Sequence, residues 1–429
     1  METPLPSKKP RVFYGYWIVA ATFVFLFVFS GCGYFAFSLF VTPLQTDFGW
    51  DRGEIMIAFT IYYLLTGLAA PLVGRLVDRY GARGVIAIGA LIAGAGFALL
   101  SLADSLWHFY LGYAVAGIGM ASAGPVPATA IVSNWFKKRR GTAIGIMASG
   151  VGAGGLAITP LVGGYLIPSF GWEISYLVLA VITVVLVVPL ALLVIKTRPA
   201  DIGLYPDGAG ATEVKEAEIS SPAAKGATLK MALATTTLWM IALSYAVGNF
   251  SMNGVLQNQT PYLGDIGFPV AMAAGALGAV GLGSLVGKFI FGWLCDRIRA
   301  SYAWALGLGL GLAAVVVLMT VGPESPVGLI WLYVIFIGLS AGSWLPTMSM
   351  IVSTNFGLTA YGAIYGVVTM AQSAGVAAGP PVAGYLYDIM GNYNVAFIVA
   401  LGLSVVAILA ILAVRRPKLP GVLGDKGAG

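Results

Sequence analysis

Twelve long apolar stretches restrict the folds open to this chain more than any other feature. A helix needs about 20 mainly apolar residues to cross the hydrocarbon core of a bilayer. Only 9% of the 429 residues are charged, whereas 59% are hydrophobic, which is typical of a polytopic membrane protein. The predicted spans are 13–40, 54–77, 84–103, 106–133, 141–166, 173–195, 234–262, 270–295, 302–321, 327–353, 360–386 and 393–414.

The spans fall into two sets of six on either side of a polar segment. Residues 196–231 are rich in Ala, Gly, Glu and Lys, a composition typical of a partly disordered linker. The sequence therefore predicts a six-helix half over residues 1–195, a cytoplasmic linker over 196–231, and a second six-helix half over 232–429 that ends in a short cytoplasmic tail.

The basic residues predict the topology. Of the 23 Lys and Arg residues, only Arg52 falls in an outside loop and only Lys288 lies deep in a span. The others lie at Lys8, Lys9 and Arg11, at Arg75, Arg79 and Arg83, from Lys137 to Arg140, from Lys196 to Lys230, at Arg297 and Arg299, and from Arg415 to Lys426. The opposite loops carry Asp47, Asp51, Asp104, Asp265, Glu324 and Asp388. The positive-inside rule places both termini in the cytoplasm, with the first span kept as an anchor.

Short motifs recur between the two sets of spans. Gly74–Arg79 reads Gly-Arg-Leu-Val-Asp-Arg, and Gly292–Arg297 repeats its Gly, Leu, Asp and Arg 218 residues later. Pro160 is followed by Gly164 and Tyr165, and Pro380 is followed by Gly384 and Tyr385, 220 residues later. Such internal similarity indicates two parallel six-helix repeats, which is the architecture of rocker-switch transporters.

Lys288 lies inside the apolar stretch Gly281–Arg297. It precedes Asp296 by eight residues, or about 12 Å along a helix, and the hydrocarbon half-thickness is about 15 Å. A charge near mid-membrane costs from about 3 to over 10 kcal/mol unless water, an anion or a carboxylate meets it. Two interpretations are open: a functional lysine that faces a cavity, or a lysine that snorkels to the interface. The acidic residues all fall in tails, loops or span ends.

The loop after the second span, Gly74–Arg83, resembles the loop motif of the major facilitator superfamily. Its glycines allow close approach of the second and eleventh helices, and Asp78 can accept hydrogen bonds from a helix N-terminus or an arginine of the neighbouring helix. This predicts a latch on the cytoplasmic side, although a merely solvated basic loop is the alternative. The predicted latch residues are Gly74, Asp78, Arg79, Arg83, Asp296 and Arg297.

A narrower resemblance begins before the fifth span. Trp135–Gly150, WFKKRRGTAIGIMASG, is similar to the start of helix 5 in monocarboxylate transporters, with Thr142 and Met147 where the family prefers Leu and Ala. Tyr14–Trp17 and Arg198–Gly208 resemble bacterial members and the related oxalate:formate exchangers. The resemblance covers nearly the whole chain. It implies an all-α membrane protein of twelve transmembrane helices in two pseudo-symmetric halves, the major facilitator fold.

The same resemblance gives Lys288 a role. Helix 8 of this branch carries a basic residue four positions before a glycine, which is thought to bind the substrate carboxylate, and Lys288 precedes Gly292 by four. Lysine replaces the usual arginine, so carboxylate geometry is less tightly specified. Animal members of the family have an aspartate four positions before the basic residue, where this chain has Ser284. The family's helix 1 lysine aligns near Ser38, and the helix 11 lysine of the exchangers is replaced by Gln372. A single intramembrane cation favours a monoanion.

Other polar residues complete the predicted substrate-binding set. Asn249, Asn253 and Gln257 are spaced four apart and share one face of the seventh helix, which is compatible with a cavity lining or with hydrogen bonding between helices. Tyr34 and Tyr365 are candidate donors to a carboxylate, and Trp344 is either a cavity wall or a packing residue. His108 beside Trp107 fits an interfacial aromatic belt.

Signals of an enzyme are missing from the sequence. It has no acid pair at depth and no phosphate loop, and Cys32, Cys295 and His108 are not spaced as metal ligands. We therefore expect no catalytic residues, no metal and no cofactor, and the basic run Lys137–Arg140 fits membrane topology rather than nucleic-acid binding.

The function expected from the sequence is secondary active transport of small carboxylate anions of the lactate or pyruvate class by alternating access, with proton symport. The alternatives are a carboxylate exchanger of the oxalate:formate type and a non-transporting membrane sensor, against which the short tails argue. Expected partners are a small carboxylate anion, a proton or counter-anion, and the lipid bilayer. A multi-pass monomer in the bacterial inner membrane is expected.

Overall fold

Twelve long helices make up most of the part of the chain that the structure describes. The computed structural model describes residues 13–208 and 226–417, so Lys8, Lys9, Arg11 and the tail from 418 lie outside the described residues. The helices are α1 Gly15–Phe48, α2 Arg52–Tyr80, α3 Ala82–Leu100, α4 Leu106–Trp135, α5 140–170, α6 172–193, α7 Thr236–Asp265, α8 Val270–Cys295, α9 Ala300–Thr320, α10 Val327–Phe356, α11 Tyr361–Met390 and α12 Asn394–Leu412. The prediction of twelve helices is confirmed.

Nine helical segments of the described residues are long and apolar enough to cross a membrane. One of these, Arg140–Leu193, contains both α5 and α6, which are separated at Gly171 by a backbone φ of 82°. The 30-residue helices α7 and α11 complete the set of twelve. They are less apolar because α7 carries a series of amides and α11 carries Gln372 and two prolines.

Helix α1 extends further than predicted. The predicted span ends at residue 40 because hydropathy falls at Pro43 and Asp47, but the helix continues to Phe48. It stops where Gly49 adopts the left-handed conformation, with φ of 69°, a common end for a helix. A π-helical turn, Gly31–Phe35, interrupts α1. The other predicted bounds lie within four residues of those observed.

Helix α2 shows how the helices are oriented. Leu64, Leu68, Leu72 and Leu76 recur every fourth residue and are exposed, so they form a stripe suited to lipid. Gly67 and Gly74 lie against α11. Since every backbone group of a helix is satisfied within the segment, only the side chains need to suit the hydrocarbon.

The bundle has two distinct ends. We call the end with the basic loops, residues 75–83, 137–140 and 297–299, the basic end, and the opposite end the acidic end. The two six-helix halves meet where α2 packs on α11 and where α5 packs on α8, with α10 also touching α5. These two seams position the candidate site.

The linker is ordered at both described ends. Residues 194–208 form a strap beneath the first half: the Asn134 side-chain amide donates to the Thr197 carbonyl at 3.2 Å, and the Trp135 indole donates to the Lys196 carbonyl at 2.8 Å. The Asp207 carboxylate accepts from the backbone N–H groups of Lys137 and Lys138. Ala227 and the short helix Leu229–Leu233 lead into α7. Residues 209–225 of the predicted linker lie outside the described residues.

Candidate functional site

Asp78 joins α2 to the start of α11. Its carboxylate accepts hydrogen bonds from the backbone N–H groups of Gly362, at 3.0 Å, and Ala363, at 2.9 Å. The first N–H groups of a helix have no partner within it and carry its positive dipole, so a carboxylate there is stabilised. We call this contact the first latch.

Asp296 makes the corresponding contact between α8 and the start of α5. Its carboxylate accepts from the backbone N–H groups of Gly141 and Thr142, both at 2.7 Å, and from the Thr142 hydroxyl at 2.6 Å. This second latch has the symmetry expected from the sequence repeat, with one additional hydroxyl donor.

Glycines bring the two halves into backbone contact at the latches. A Cβ atom on Gly74 would lie 1.9 Å from the Gly362 carbonyl oxygen, and one on Gly292 would lie 2.6 Å from the Gly141 carbonyl oxygen. No side chain fits at such distances without movement of a helix. The basic end of the bundle is therefore closed in this structure.

The arginines of the predicted latch set play a different part. The Arg79 guanidinium lies 5.2 Å from the Tyr80 ring centroid and that of Arg297 lies 3.7 Å from a Trp293 ring centroid. Arg83 is exposed, and within residues 13–208 and 226–417 none of the three pairs with a carboxylate. Of the two partners predicted for Asp78, the helix N-terminus is thus the one that makes the hydrogen bonds.

Lys288 is buried in α8, with only 1% of the residue exposed. Its ammonium group donates to the Ser284 hydroxyl at 2.5 Å and to the Ser284 carbonyl at 3.4 Å. No carboxylate lies within 4.0 Å of it among the described residues, where the pair Asp104–His108 is the one ion pair. The snorkelling interpretation is wrong, because the side chain turns back along its own helix and does not reach the surface.

The backbone around Lys288 is packed against the first half on one side and against α10 of its own half on the other. A Cβ atom on Gly145 of α5 would lie 2.5 Å from the Lys288 carbonyl oxygen, and one on Gly342 of α10 would lie 2.7 Å from the Lys288 nitrogen. Lys288 therefore lies where α5, α8 and α10 come together. In this closed arrangement water does not reach its side chain, so the cavity that the sequence suggested beside it is not open.

Tyr34 and Gln257 meet across the two halves. The Gln257 side-chain amide donates to the Tyr34 hydroxyl at 2.7 Å. Tyr34 lies in the π-helical turn of α1, a type of distortion that is frequent at functional sites. Gln257 lies eight residues before the end of α7, or about 12 Å from the acidic end. These two predicted residues are brought together, nearer the acidic end than Lys288.

Asn249, Asn253 and Gln372 are buried where α7 packs on α11. The Asn249 and Asn253 amides donate to carbonyls one turn back in α7, both at 2.9 Å. Gln372 donates to the Asn249 side-chain oxygen at 3.4 Å. In this conformation Asn249 is hydrogen-bonded to Gln372 across the two helices, whereas the Asn253 amide bonds within α7, and neither lines an open cavity.

Tyr365 and Trp344 are separate from the Lys288 ammonium contacts. Tyr365 is fully buried and its ring stacks on Tyr361 at 5.6 Å, while its hydroxyl has no hydrogen-bond partner within the described part of the chain. Trp344 is half-buried against the hydrophobic core. The structure thus places the predicted set at several depths instead of around one point.

Two residues at the start of α5 were not predicted. Thr142 supplies the third donor to Asp296, and Arg140 lies within electrostatic range of Tyr361, Asp207 and Asp296. The signal available for Thr142 was its departure from the family pattern. The repeat offered a second signal, since it pairs Asp296 with the start of α5 in the way that Asp78 pairs with α11.

Comparison with known sequences identifies the family. The sequence profile described as Major Facilitator Superfamily matches residues 23–378. Among curated proteins, monocarboxylate transporter 13 of Bos taurus is 27% identical over 369 residues, covering 85% of this chain and 81% of the relative. Human monocarboxylate transporter 11 is 28% identical, covering 93% and 82%.

Solved structures show the same fold. The human organic anion transporter MFSD10 superposes with a TM-score of 0.71 at 16% identity, covering 92% of this chain and 99% of that one. The proton:xylose symporter XylE gives a TM-score of 0.74 at 14% identity, covering 94% and 96%. FucP in its outward conformation gives 0.70 at 16% identity, covering 93% and 99%. The chain is thus a multi-pass membrane transporter, not an enzyme, and it belongs to the Major Facilitator Superfamily.

Proposed function

We propose that this transporter carries small monocarboxylate anions by alternating access and that Lys288 binds the carboxylate. The observation that carries the proposal is a buried lysine with no carboxylate partner among the described residues. A buried charge is stabilised only by pairing or hydrogen bonding, and two serine oxygens provide little of either. The names of the monocarboxylate-transporter relatives support the same substrate class.

The single lysine limits the charge of the cargo. One cation neutralises one carboxylate, whereas a dianion would leave a net negative charge in the low-dielectric interior, at a cost of several kcal/mol. We therefore infer that monocarboxylates of the lactate or pyruvate class are preferred over dicarboxylates.

Proton coupling follows from the same balance of charge. A bare ammonium group is expensive to carry through a closed, dry bundle, so the empty carrier returns with a neutral Lys288. The loaded carrier crosses as a neutral pair of ammonium and carboxylate. Each cycle then moves one proton with one monoanion and is electroneutral.

The orientation belongs to the proposal. The positive-inside rule puts the basic end, both termini and the linker over 196–231 in the cytoplasm, and the bacterial-type start of α1 at Tyr14–Trp17 favours a bacterial inner membrane. The halves over 1–195 and 232–429 rock against each other as a monomer. The latches hold the cytoplasmic side shut.

The other candidate residues receive roles along the path. Tyr34 and Gln257 contact the anion on the acidic side of Lys288, where their mutual hydrogen bond can be exchanged for bonds to a carboxylate. Asn249, Asn253, Gln372, Tyr365 and Trp344 line the route when the halves separate.

Uptake by proteoliposomes tests the proposal. A panel of radiolabelled formate, acetate, pyruvate, lactate and oxalate is offered with an inward acid gradient, with a membrane potential alone, and with a trans carboxylate. We expect accumulation of the monocarboxylates with the acid gradient and none with the potential alone. Accumulation that is independent of the acid gradient but requires a carboxylate on the trans side would instead identify the protein as an exchanger, in which Lys288 stays charged throughout the cycle.

Substitution of Lys288 tests the site. Lys288→Gln should lower uptake by about a hundredfold or more, because it removes the anion's counter-charge, while the protein still folds. Lys230→Gln, the same change at an exposed lysine of the helix Leu229–Leu233, is the control. Near-normal uptake by purified Lys288→Gln would rule out the assigned site.

A further inference from the structure

The packing around Lys288 is uneven along α8. Towards the basic end the helix backbones touch: a Cβ atom on Gly145 of α5 would lie 2.5 Å from the Lys288 carbonyl oxygen, and one on Gly292 would lie 2.7 Å from the Gly145 Cα atom. Towards the acidic end, a Cβ atom on Gly281 would have no atom of the described residues within 4 Å. The seam between α5 and α8 is therefore shut on the basic side of Lys288 and leaves space on the acidic side.

Gly281 and Lys288 share a face of α8. At about 100° per residue, Gly281 lies about 20° round the helix from Lys288, and Ser284 lies about 40° from it on the other side. The Lys288 ammonium donates to the Ser284 hydroxyl at 2.5 Å, so it is about level with Ser284. Gly281 is roughly 4.5 Å further towards the acidic end. The space beside Gly281 therefore lies just beyond the ammonium, with the half-buried Ser284 between them along the helix.

Helices α5 and α8 diverge at this level. A Cβ atom on Gly152 of α5 would lie 3.4 Å from the Gly281 carbonyl oxygen, which is ordinary contact. One turn nearer the acidic end, on the same face of α5, Leu156 is 46% exposed. Leu277, which lies about 20° round α8 from Lys288, is 41% exposed. The two helices thus touch at Gly152, and beyond that contact their facing positions carry exposed apolar side chains.

The α8 wall of this space has little polar character. Between Leu277 and Gly287, Ser284 is the one polar side chain in the sequence. A second charged group on the cargo would lose its water along this wall without finding a partner, whereas a hydrocarbon chain gains free energy when it leaves water for an apolar surface. The wall therefore suits a carbon chain attached to the carboxylate that Lys288 binds.

We propose that the cargo binds with its carboxylate towards Lys288 and its carbon chain directed to the acidic end, and that Gly281 sets the length of that chain. The proposal rests on the proposed function and names the substrate class within it: unbranched aliphatic monocarboxylates of several carbons. The carboxylate takes the place of the Ser284 hydroxyl at the ammonium, because a charge-assisted hydrogen bond is stronger than one to a neutral group. The chain cannot extend the other way, because the backbones of α5 and α8 are in contact there.

A series of chain lengths tests the proposal. Uptake of radiolabelled acetate, butyrate and hexanoate is measured in proteoliposomes of the full-length protein under an inward acid gradient. Gly281→Val should raise the half-saturating concentrations of butyrate and hexanoate by about tenfold or more and that of acetate by less than about twofold, because its methyl groups fill the space of the later carbons. Gly275→Val is the control: a Cβ atom there also has no neighbour within 4 Å, but the residue lies about 140° round α8 from Lys288. It should change none of the three concentrations.

The dependence on chain length separates selectivity from damage to the fold. A variant that only disturbed packing or the balance between conformations would affect all three anions alike. Equal shifts for the three anions, or no shift for any, in Gly281→Val would therefore overturn the role of Gly281. A wild type that carries acetate but not butyrate would overturn it as well, since the space would then hold no chain. If the wild type carries none of the three anions, the proposed function itself fails, and that result needs no variant.

Two milder variants keep the test decisive if Gly281→Val does not fold. Gly281→Ala adds a single carbon to the space, and Leu277→Ala removes an apolar contact for the end of a long chain. Each should raise the half-saturating concentration of hexanoate by about threefold and leave that of acetate unchanged. An unchanged value for hexanoate in both variants would overturn the proposal.

Discussion

Helices α2 and α8 occupy equivalent places in the two halves, yet only one of them carries a charge at depth. Both end in a glycine followed four residues later by an aspartate that caps the start of a helix in the other half. Four residues before that glycine, α8 has Lys288 and α2 has Ala70. Ala70 is buried, and a Cβ atom on Gly366 of α11 would lie 2.4 Å from its carbonyl oxygen.

The difference indicates that the two seams respond differently to an anion. The seam between α2 and α11 is close-packed at small residues, so separating it exposes backbone, small side chains and the Asp78 carboxylate, but no buried cation. The seam between α5 and α8 contains a buried cation, so under the proposed function its stability depends on whether an anion is present. Binding of a carboxylate can therefore bias the second seam directly and the first only through the rigid halves.

The most severe way to break this comparison is to place a lysine in the first seam. Ala70→Lys should prevent recovery of folded protein, with yield of monodisperse protein reduced by about tenfold or more, because α11 leaves no space and no counter-charge. Size-exclusion chromatography after membrane extraction measures the yield. A folded, active Ala70→Lys protein would show that the two seams are interchangeable.

Alanine at the seam glycines tests their packing. Gly74→Ala should lower the transport rate by about tenfold or more, and Gly292→Ala should have a smaller effect, since the distances to backbone oxygen are 1.9 and 2.6 Å. Gly84→Ala is the control because nothing lies within 4 Å of a Cβ there. Thermal unfolding and initial uptake rates are measured together. Equal effects at Gly74 and Gly84 would contradict the argument.

Removal of the latch charges tests their role in the balance between conformations. Asp78→Asn and Asp296→Asn should each lower the maximal transport rate by about tenfold, with half-saturation changed by less than about twofold outside the cell. The effect should be larger for Asp296, which accepts from three donors where Asp78 accepts from two. An unchanged rate with only a weakened apparent affinity would reject the latch.

The smallest expected effect comes from making the two latches alike. Thr142→Val removes the hydroxyl donor to Asp296 but keeps both backbone N–H groups, so the transport rate should change by only about two- to threefold. Thr320→Val, at an exposed threonine near the end of α9, is the control. If Thr142→Val matched Asp296→Asn, the hydroxyl rather than the helix N-terminus would hold the latch.

The parts that sequence reasoning predicted well depend on local periodicity and on the repeat. The helices, the place of Lys288 within an apolar helix and the contact of Asp78 with a helix start all follow from spacing and from one motif present twice. The helical period also placed Asn249 and Asn253 on one face, but it could not say that this face meets α11.

Contacts between distant segments were beyond such reasoning. Thr142 and Asp296 are 154 residues apart, and only the folded seam brings them together. The end of α1 was missed because the hydropathy falls at Pro43, whereas the helix continues to Phe48.

The strap over residues 194–208 has a consequence for biosynthesis. Among the described residues, its hydrogen-bond partners outside the strap precede it in the chain: the Tyr14 hydroxyl donates to the Val194 carbonyl, Ala82 donates to the Thr197 hydroxyl, and Lys137 and Lys138 donate to Asp207. Domains generally fold from the N-terminus during synthesis. The strap can therefore close on the first half before residue 226 is made, whereas the two latches, which need partners from the second half, form only later.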